Sequence, residues 1–108
     1  MNELAIVLVT APDKKAARQL ARRALEKRLI ACANLAPAIE SHYWWKGRIE
    51  SRQEILLVMK TIKKNLSALE KLILRLHPYD TAEFVVLRPK AVTKKYLRWV
   101  QDSVQRTD

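Results

Sequence analysis

Glycine is almost absent from this chain: of its 108 residues, only Gly47 is one. A chain so poor in glycine has no P-loop and no dinucleotide-binding fingerprint, because both need several glycines at fixed spacing. Cysteine is equally scarce. Cys32 stands alone, so no disulfide forms within the chain and the expected setting is the cytoplasm. Long apolar runs are missing too. Ile55-Leu56-Leu57-Val58-Met59 is far shorter than the ~20 residues that span a bilayer. The start, Met1-Asn2-Glu3-Leu4, lacks the basic region, apolar stretch and cleavage site of a secretory signal, so none is expected. There is no Ser-His-Asp order and no paired catalytic carboxylate motif, and the chain is not expected to be an enzyme.

Acidic residues are the minority charge, 11 against 21 Lys and Arg, for a net charge of +10. Arg18, Arg22 and Arg23 make a local patch, but no RNP-type motif, zinc pattern or helix-turn-helix turn accompanies it. The positive charge otherwise reads as scattered over every helix. It predicts salt-dependent, sequence-blind adhesion to polyanions, with non-specific nucleic-acid binding through the basic surface as an alternative role.

Apolar residues make up 49% of the chain, enough for one packed domain over residues 1–108. Leu4 to Val9 is a short apolar run rich in β-branched residues, a buried strand. Asp13 is placed to cap a helix from Lys14 to about Lys27, whose stripe Ala17, Leu20, Ala21, Ala24 and Leu25 recurs at helical spacing. Two long strand-like runs follow, Ala33 to Trp45 and Arg48 to Ile62, joined at Lys46-Gly47, a tight-turn signal. Pro37 marks a bend or an unpaired edge in the first arm. A second amphipathic helix carries Leu66, Leu69, Leu72, Ile73 and Leu76 and stops at His77-Pro78. Glu83 to Leu87 reads as a fourth strand, and Thr93 to Ser103 as a last helix with Leu97, Val100 and Val104 inward.

The order β-α-β-β-α-β plus a terminal helix predicts an α+β, ferredoxin-like fold with a long hairpin between its second and third strands. Helices on one side of such a sheet leave the other side wet, and its strands then alternate apolar with polar. Strands one, three and four are apolar at successive positions instead. The terminal helix covers part of the second face; copies of the same chain are expected to cover the rest, making an obligate homo-oligomer.

Five segments, in order along nearly the whole chain, carry a family resemblance: Arg28 to Leu35, Tyr43 to Glu50, Lys60-Thr61, His77-Pro78-Tyr79-Asp80 and Tyr96-Leu97-Arg98-Trp99. Together they resemble the CutA family of divalent-cation tolerance proteins. The resemblance implies a tight trimer joined through the hairpin strands, an architecture akin to PII-type signalling proteins, and a loosely defined role in tolerance of copper and other divalent metals. Animal relatives have been linked to membrane anchoring of acetylcholinesterase. This chain departs from the family pattern at Ala11, where a cysteine is usual, at Ser51-Arg52-Gln53, where an acidic run is common, and around Lys90 to Thr93, where a glycine is frequent.

The candidate site residues each have two readings. Cys32 is inert packing or a soft ligand for copper(I). His77 is a metal ligand with Glu83 six residues on, or a cap for the second helix; one imidazole and one carboxylate do not close a tetrahedral site. Tyr43, Trp44 and Trp45 pack a subunit interface or form a stacking platform. Lys60 emerges at its strand end, or faces a polar cleft and pairs with an anionic ligand or with Glu83. Tyr43, Trp45, Lys60, Tyr79 and Glu83 are the expected lining of an intersubunit cleft, with Cys32 and His77 as candidate ligands for a divalent metal. His42 is assigned no role.

Overall fold

A computed structural model describes residues 3–104. Met1 and Asn2, part of the segment from which a leader was judged absent, and residues 105–108 lie outside that range. The elements are β1 (Leu4–Ala11), α1 (Lys14–Glu26), β2 (Cys32–Trp45), β3 (Arg48–Ile62), a 3-10 turn (Lys63–Asn65), α2 (Leu66–Leu76), β4 (Val85–Leu87) and α3 (Lys94–Ser103). They fall in the expected order. Strands lie as β2-β3-β1-β4, each antiparallel to its neighbour. Because β3 is inserted between β1 and β2, this is the split βαβ arrangement.

Asp13 starts α1 as expected: its backbone is extended and its Oδ1 accepts from the Ala16 N–H at 2.8 Å. Ala17, Leu20, Ala21 and Ala24 turn inward, and the alanines let the helix approach the sheet closely. Leu25, expected in the same stripe, is 40% exposed. Leu69, Leu72 and Ile73 of α2 meet α1 and the sheet residues Val7, Val9, Leu57 and Met59 in the main core. Each large side chain fully buried there contributes about 1.5–3 kcal/mol.

The second sheet face is covered only at one end. There Val100 of α3 and Val104 just after it lie over Leu4 and Ile62. Farther along, Ile6, Leu8, Leu56 and Val58 are half-buried, and Val85 and Leu87 of β4 are 43% and 46% exposed. The short β4 departs from the expected start at Glu83. It pairs only with Ile6 to Leu8, and Phe84 is first drawn against the main core, so the chain reaches the sheet late.

β1 pairs with β3 only from Ile55 to Ile62. The remainder, Ile39–Trp45 and Arg48–Glu54, pair with each other alone and extend the molecule to 44 Å against widths of 26 and 22 Å. At the root of this arm the register shifts between Ala36 and Ile39. Pro37 and Ala38 there oppose Ile55 alone, a β-bulge that bends the strand. Pro37 brings no N–H to the ladder, and Ala38 adopts φ 58°. Among the described residues, no helix is long and apolar enough to cross a membrane.

The turn at the arm's tip has φ 50° at Lys46 and 76° at Gly47, the I′ pattern that suits right-twisted strands. Only the glycine takes it without cost. Lys46→Asn is therefore expected to stabilise the fold by about 0.5–1 kcal/mol, and Gly47→Ala to destabilise it by ~1 kcal/mol. In the second case a Cβ would meet nothing within 4 Å, so backbone strain is the whole effect. Urea unfolding of both variants checks the opposite signs.

Candidate functional site

The site is built from the end of α2. His77 precedes a proline and is extended, at φ −70° and ψ 135°, as sterics before proline require. Its ring is buried. Nε2 lies 2.7 Å from the Thr10 carbonyl oxygen, and Nδ1 accepts the Tyr79 N–H at 3.0 Å. A carbonyl only accepts, so Nε2 carries the proton and the ring is the neutral tautomer. Both nitrogens are thus committed to pinning the 77–83 loop onto β1. His77 therefore takes the capping role: it is the C-cap of α2, its backbone N–H bonding the Ile73 carbonyl at 2.9 Å, and its ring offers no lone pair to a metal.

Tyr79, held in this way, packs its ring against His77 in a tilted contact, centroids 4.8 Å apart, and donates its hydroxyl to Glu54 Oε2 at 2.7 Å. Glu54 is only 6% exposed. Burial, then the bond to Glu54, pushes the Tyr79 phenol well above its ordinary range. The Arg52 guanidinium sits 5.2 Å from the Tyr79 ring centre, and hydrogen bonding with Tyr43 keeps it firmly protonated. Burial first, and the charge of Glu54 second, raise the Glu83 carboxyl above its usual value. These groups surround a cleft of about 920 Å³ between the arm and the loop, whose wall includes Tyr43, Trp45, Glu54, Tyr79 and Glu83.

Four of the expected lining residues therefore do come together: Tyr43, Trp45, Tyr79 and Glu83. Lys60 does not join them. It lies opposite Cys32 in the β2–β3 ladder, and its ammonium is hydrogen-bonded to the Asn34 side chain, not to Glu83. Cys32 stands 3.7 Å from the Tyr96 hydroxyl on α3. Along β2, Cys32 is eleven residues from Tyr43, roughly 35 Å of strand. The two clusters are separate within one chain. Trp44 is 72% exposed on the arm, and His42 bonds Glu40 at 2.6 Å.

Glu54 and Arg52 were not anticipated as site residues. Parity held the signal: both project from the same side of β3, and Glu54 adjoins the apolar run that begins at Ile55. Among the described residues, no group of three or more His, Cys, Asp and Glu is gathered as a metal donor set. Glu50, Glu54, Asp80 and Glu83 all line the cleft, but they are not gathered into a donor set, so a metal site is incomplete within one chain.

A split-βαβ sheet with an overlong hairpin and a cleft at its root defines a class of ferredoxin-like α+β proteins. The CutA1 divalent ion tolerance family model matches residues 5–103. The chain belongs to that family. It is 36% identical over 98 residues to the divalent-cation tolerance protein CutA of Thermus thermophilus, covering 91% of this chain and 95% of that one. It is 41% identical over 99 residues to the mouse protein CutA, covering 92% of this chain. The crystal structure of CutA1 from Oryza sativa superposes with a TM-score of 0.93 at 36% identity, covering 98% of both chains. The chain spans only 56% of the mouse relative's length and 58% of a chloroplastic rice relative's.

Glu83→Gln isolates the desolvated carboxylate. A raised native pKa means the folded state holds its proton more tightly than the unfolded state, so stability contributed by protonation is present at low pH. That contribution is lost as pH rises from 4.5, the ordinary value, through the raised one. The glutamine variant is expected to lose that segment of the pH–stability curve and to be more stable than wild type at pH 7. Thermal unfolding from pH 4 to 8 shows it.

Proposed function

We propose that this protein is a homotrimeric, non-catalytic binding protein in divalent-ion tolerance. Its ligand would lie at the root of each arm, where a neighbouring subunit meets the cleft, and its setting would be the cytoplasm, where Cys32 stays a thiol. The observation that carries this reading is the uncovered second sheet face together with the unsupported arm. An isolated two-stranded ribbon is marginal in water, and this one exposes Trp44 and Ile49 at 72% and 68%, directly opposite each other. The edge strand β4 adds a row of apolar side chains beside unpaired backbone groups. A second copy satisfies all of these at once. The number three comes from the family resemblance.

Binding is favoured over catalysis because two of the proton carriers at the cleft are occupied structurally. His77 has both nitrogens engaged, and the Tyr79 phenol is held protonated. Light scattering is expected to give a particle three times 12.5 kDa. Trp45→Glu is expected to weaken assembly and to make the midpoint of unfolding fall with dilution, since folding and association are linked. A folded wild-type monomer at micromolar concentration would overturn the proposal.

A metal entering this cleft would meet mostly carboxylate oxygens, with the His42 imidazole as the one nitrogen donor on the wall. Oxygen donors suit manganese and magnesium better than copper, and the soft donor Cys32 lies elsewhere. Titration calorimetry with manganese(II), zinc and copper(II) is expected to show binding tighter than about millimolar, worth roughly 4 kcal/mol. Glu54→Gln and Glu83→Gln should weaken it, and Cys32→Ser should not. No heat with any ion rejects the metal ligand and leaves an assembly or anchoring module as the alternative.

A further inference from the structure

The charge is not scattered once the chain is folded. Segments 13–28 and 63–75 hold eleven Lys and Arg against three acids, Asp13, Glu26 and Glu70, while the rest of the chain holds ten against eight. Both segments form the helix layer, on the face away from the one proposed for assembly. Two of the three acids have other work: Asp13 caps α1, and Glu26 lies 4.0 Å from Arg23.

The placement runs against folding. Neither α1 nor α2 has an acid in its first turn. Instead Lys14 and Lys15 open α1, and Lys63 and Lys64 precede α2, at the ends where the helix dipole disfavours cations. Between α2 and the connection that leaves α1 lies a groove of about 530 Å³. Leu29, Ala68 and Leu72 form its apolar lining, Lys27, Arg28, Lys71 and Arg75 its basic one, and Glu26 is the single acid on its wall. Arg28 adopts φ 59° and spends one N–H on the Ser103 carbonyl at 3.1 Å, which fixes its guanidinium at the groove. Among the described residues, no carboxylate pairs with Lys27, Lys71 or Arg75.

We propose that the helix layer is a docking surface for the phosphate backbone of a nucleic acid, bound without sequence preference and centred on this groove. A linear chain of phosphates fits a concave channel with cations on both sides, which a flat lipid surface does not follow. No base-reading motif accompanies it, so affinity is electrostatic.

The test is fluorescence anisotropy with a labelled mixed-sequence 24-nucleotide single-stranded DNA and the full-length protein. Three to four phosphate contacts predict that affinity falls about 20- to 50-fold between 50 and 200 mM KCl. Lys71→Glu/Arg75→Glu is expected to weaken binding at least tenfold at 50 mM KCl and to flatten the salt slope. Lys90→Glu/Lys94→Glu, the same change of charge away from the helix layer, is expected to leave most of the affinity. Circular dichroism checks that both variants fold. No binding at 50 mM KCl overturns the proposal, as does equal loss in both variants, which would mark net charge alone. Binding to phosphatidylserine vesicles without binding to DNA overturns it in favour of a membrane surface.

Discussion

A four-stranded sheet that is apolar on both faces needs two covering layers, and this chain has helices for one layer and a fraction of the next. α1 and α2 close most of the first face, over Val7, Val9, Leu57 and Met59. α3 reaches only the end of the second, over Leu4 and Ile62. Much else follows from that shortfall: the half-buried Ile6, Leu8, Leu56 and Val58, the exposed edge at Val85 to Leu87, and an arm that no other element supports. Burial of apolar area drives folding, so a face left open is a face awaiting contact.

The loop after α2 is the second organising feature. It carries the chain around the edge of β1, and His77 fixes its course by bonding to the Thr10 carbonyl. Tyr79 is thereby delivered to Glu54, and a carboxylate that would be costly to bury alone gains a hydroxyl donor. Arg52 and Glu83 complete a small polar cluster against aromatic walls. The site is thus a by-product of how the loop is tied down, and its geometry is as firm as that tie.

Local pattern made most of the fold legible. Asp13 before an alanine-leucine stripe gave the first helix and its cap; Lys46-Gly47 between long β-rich runs gave the hairpin; Pro37 marked the bulge. Successive apolar positions in three strands exposed the problem of the second face. The site was legible only in part. Tyr43, Trp45, Tyr79 and Glu83 do share one cleft, but nothing in the pattern pointed to Glu54, because the contact that buries it comes from Tyr79, 25 residues away. The roles of His77 and Lys60 depend on partners that periodicity does not specify: a backbone carbonyl on β1 for one and a cross-strand asparagine for the other. Charge read along the chain looked even; only the layering of two helices on one side collected it.

The bulge at Pro37 and Ala38 sets the angle at which the arm leaves the body. When subunits join head to tail, a fixed rotation per step decides between a closed ring and an open filament. A rigid joint at the root of the reaching element makes that rotation a property of the monomer's backbone, settled before any subunits meet. Straightening the joint by removing one residue would leave every contact surface intact and change the symmetry they add up to.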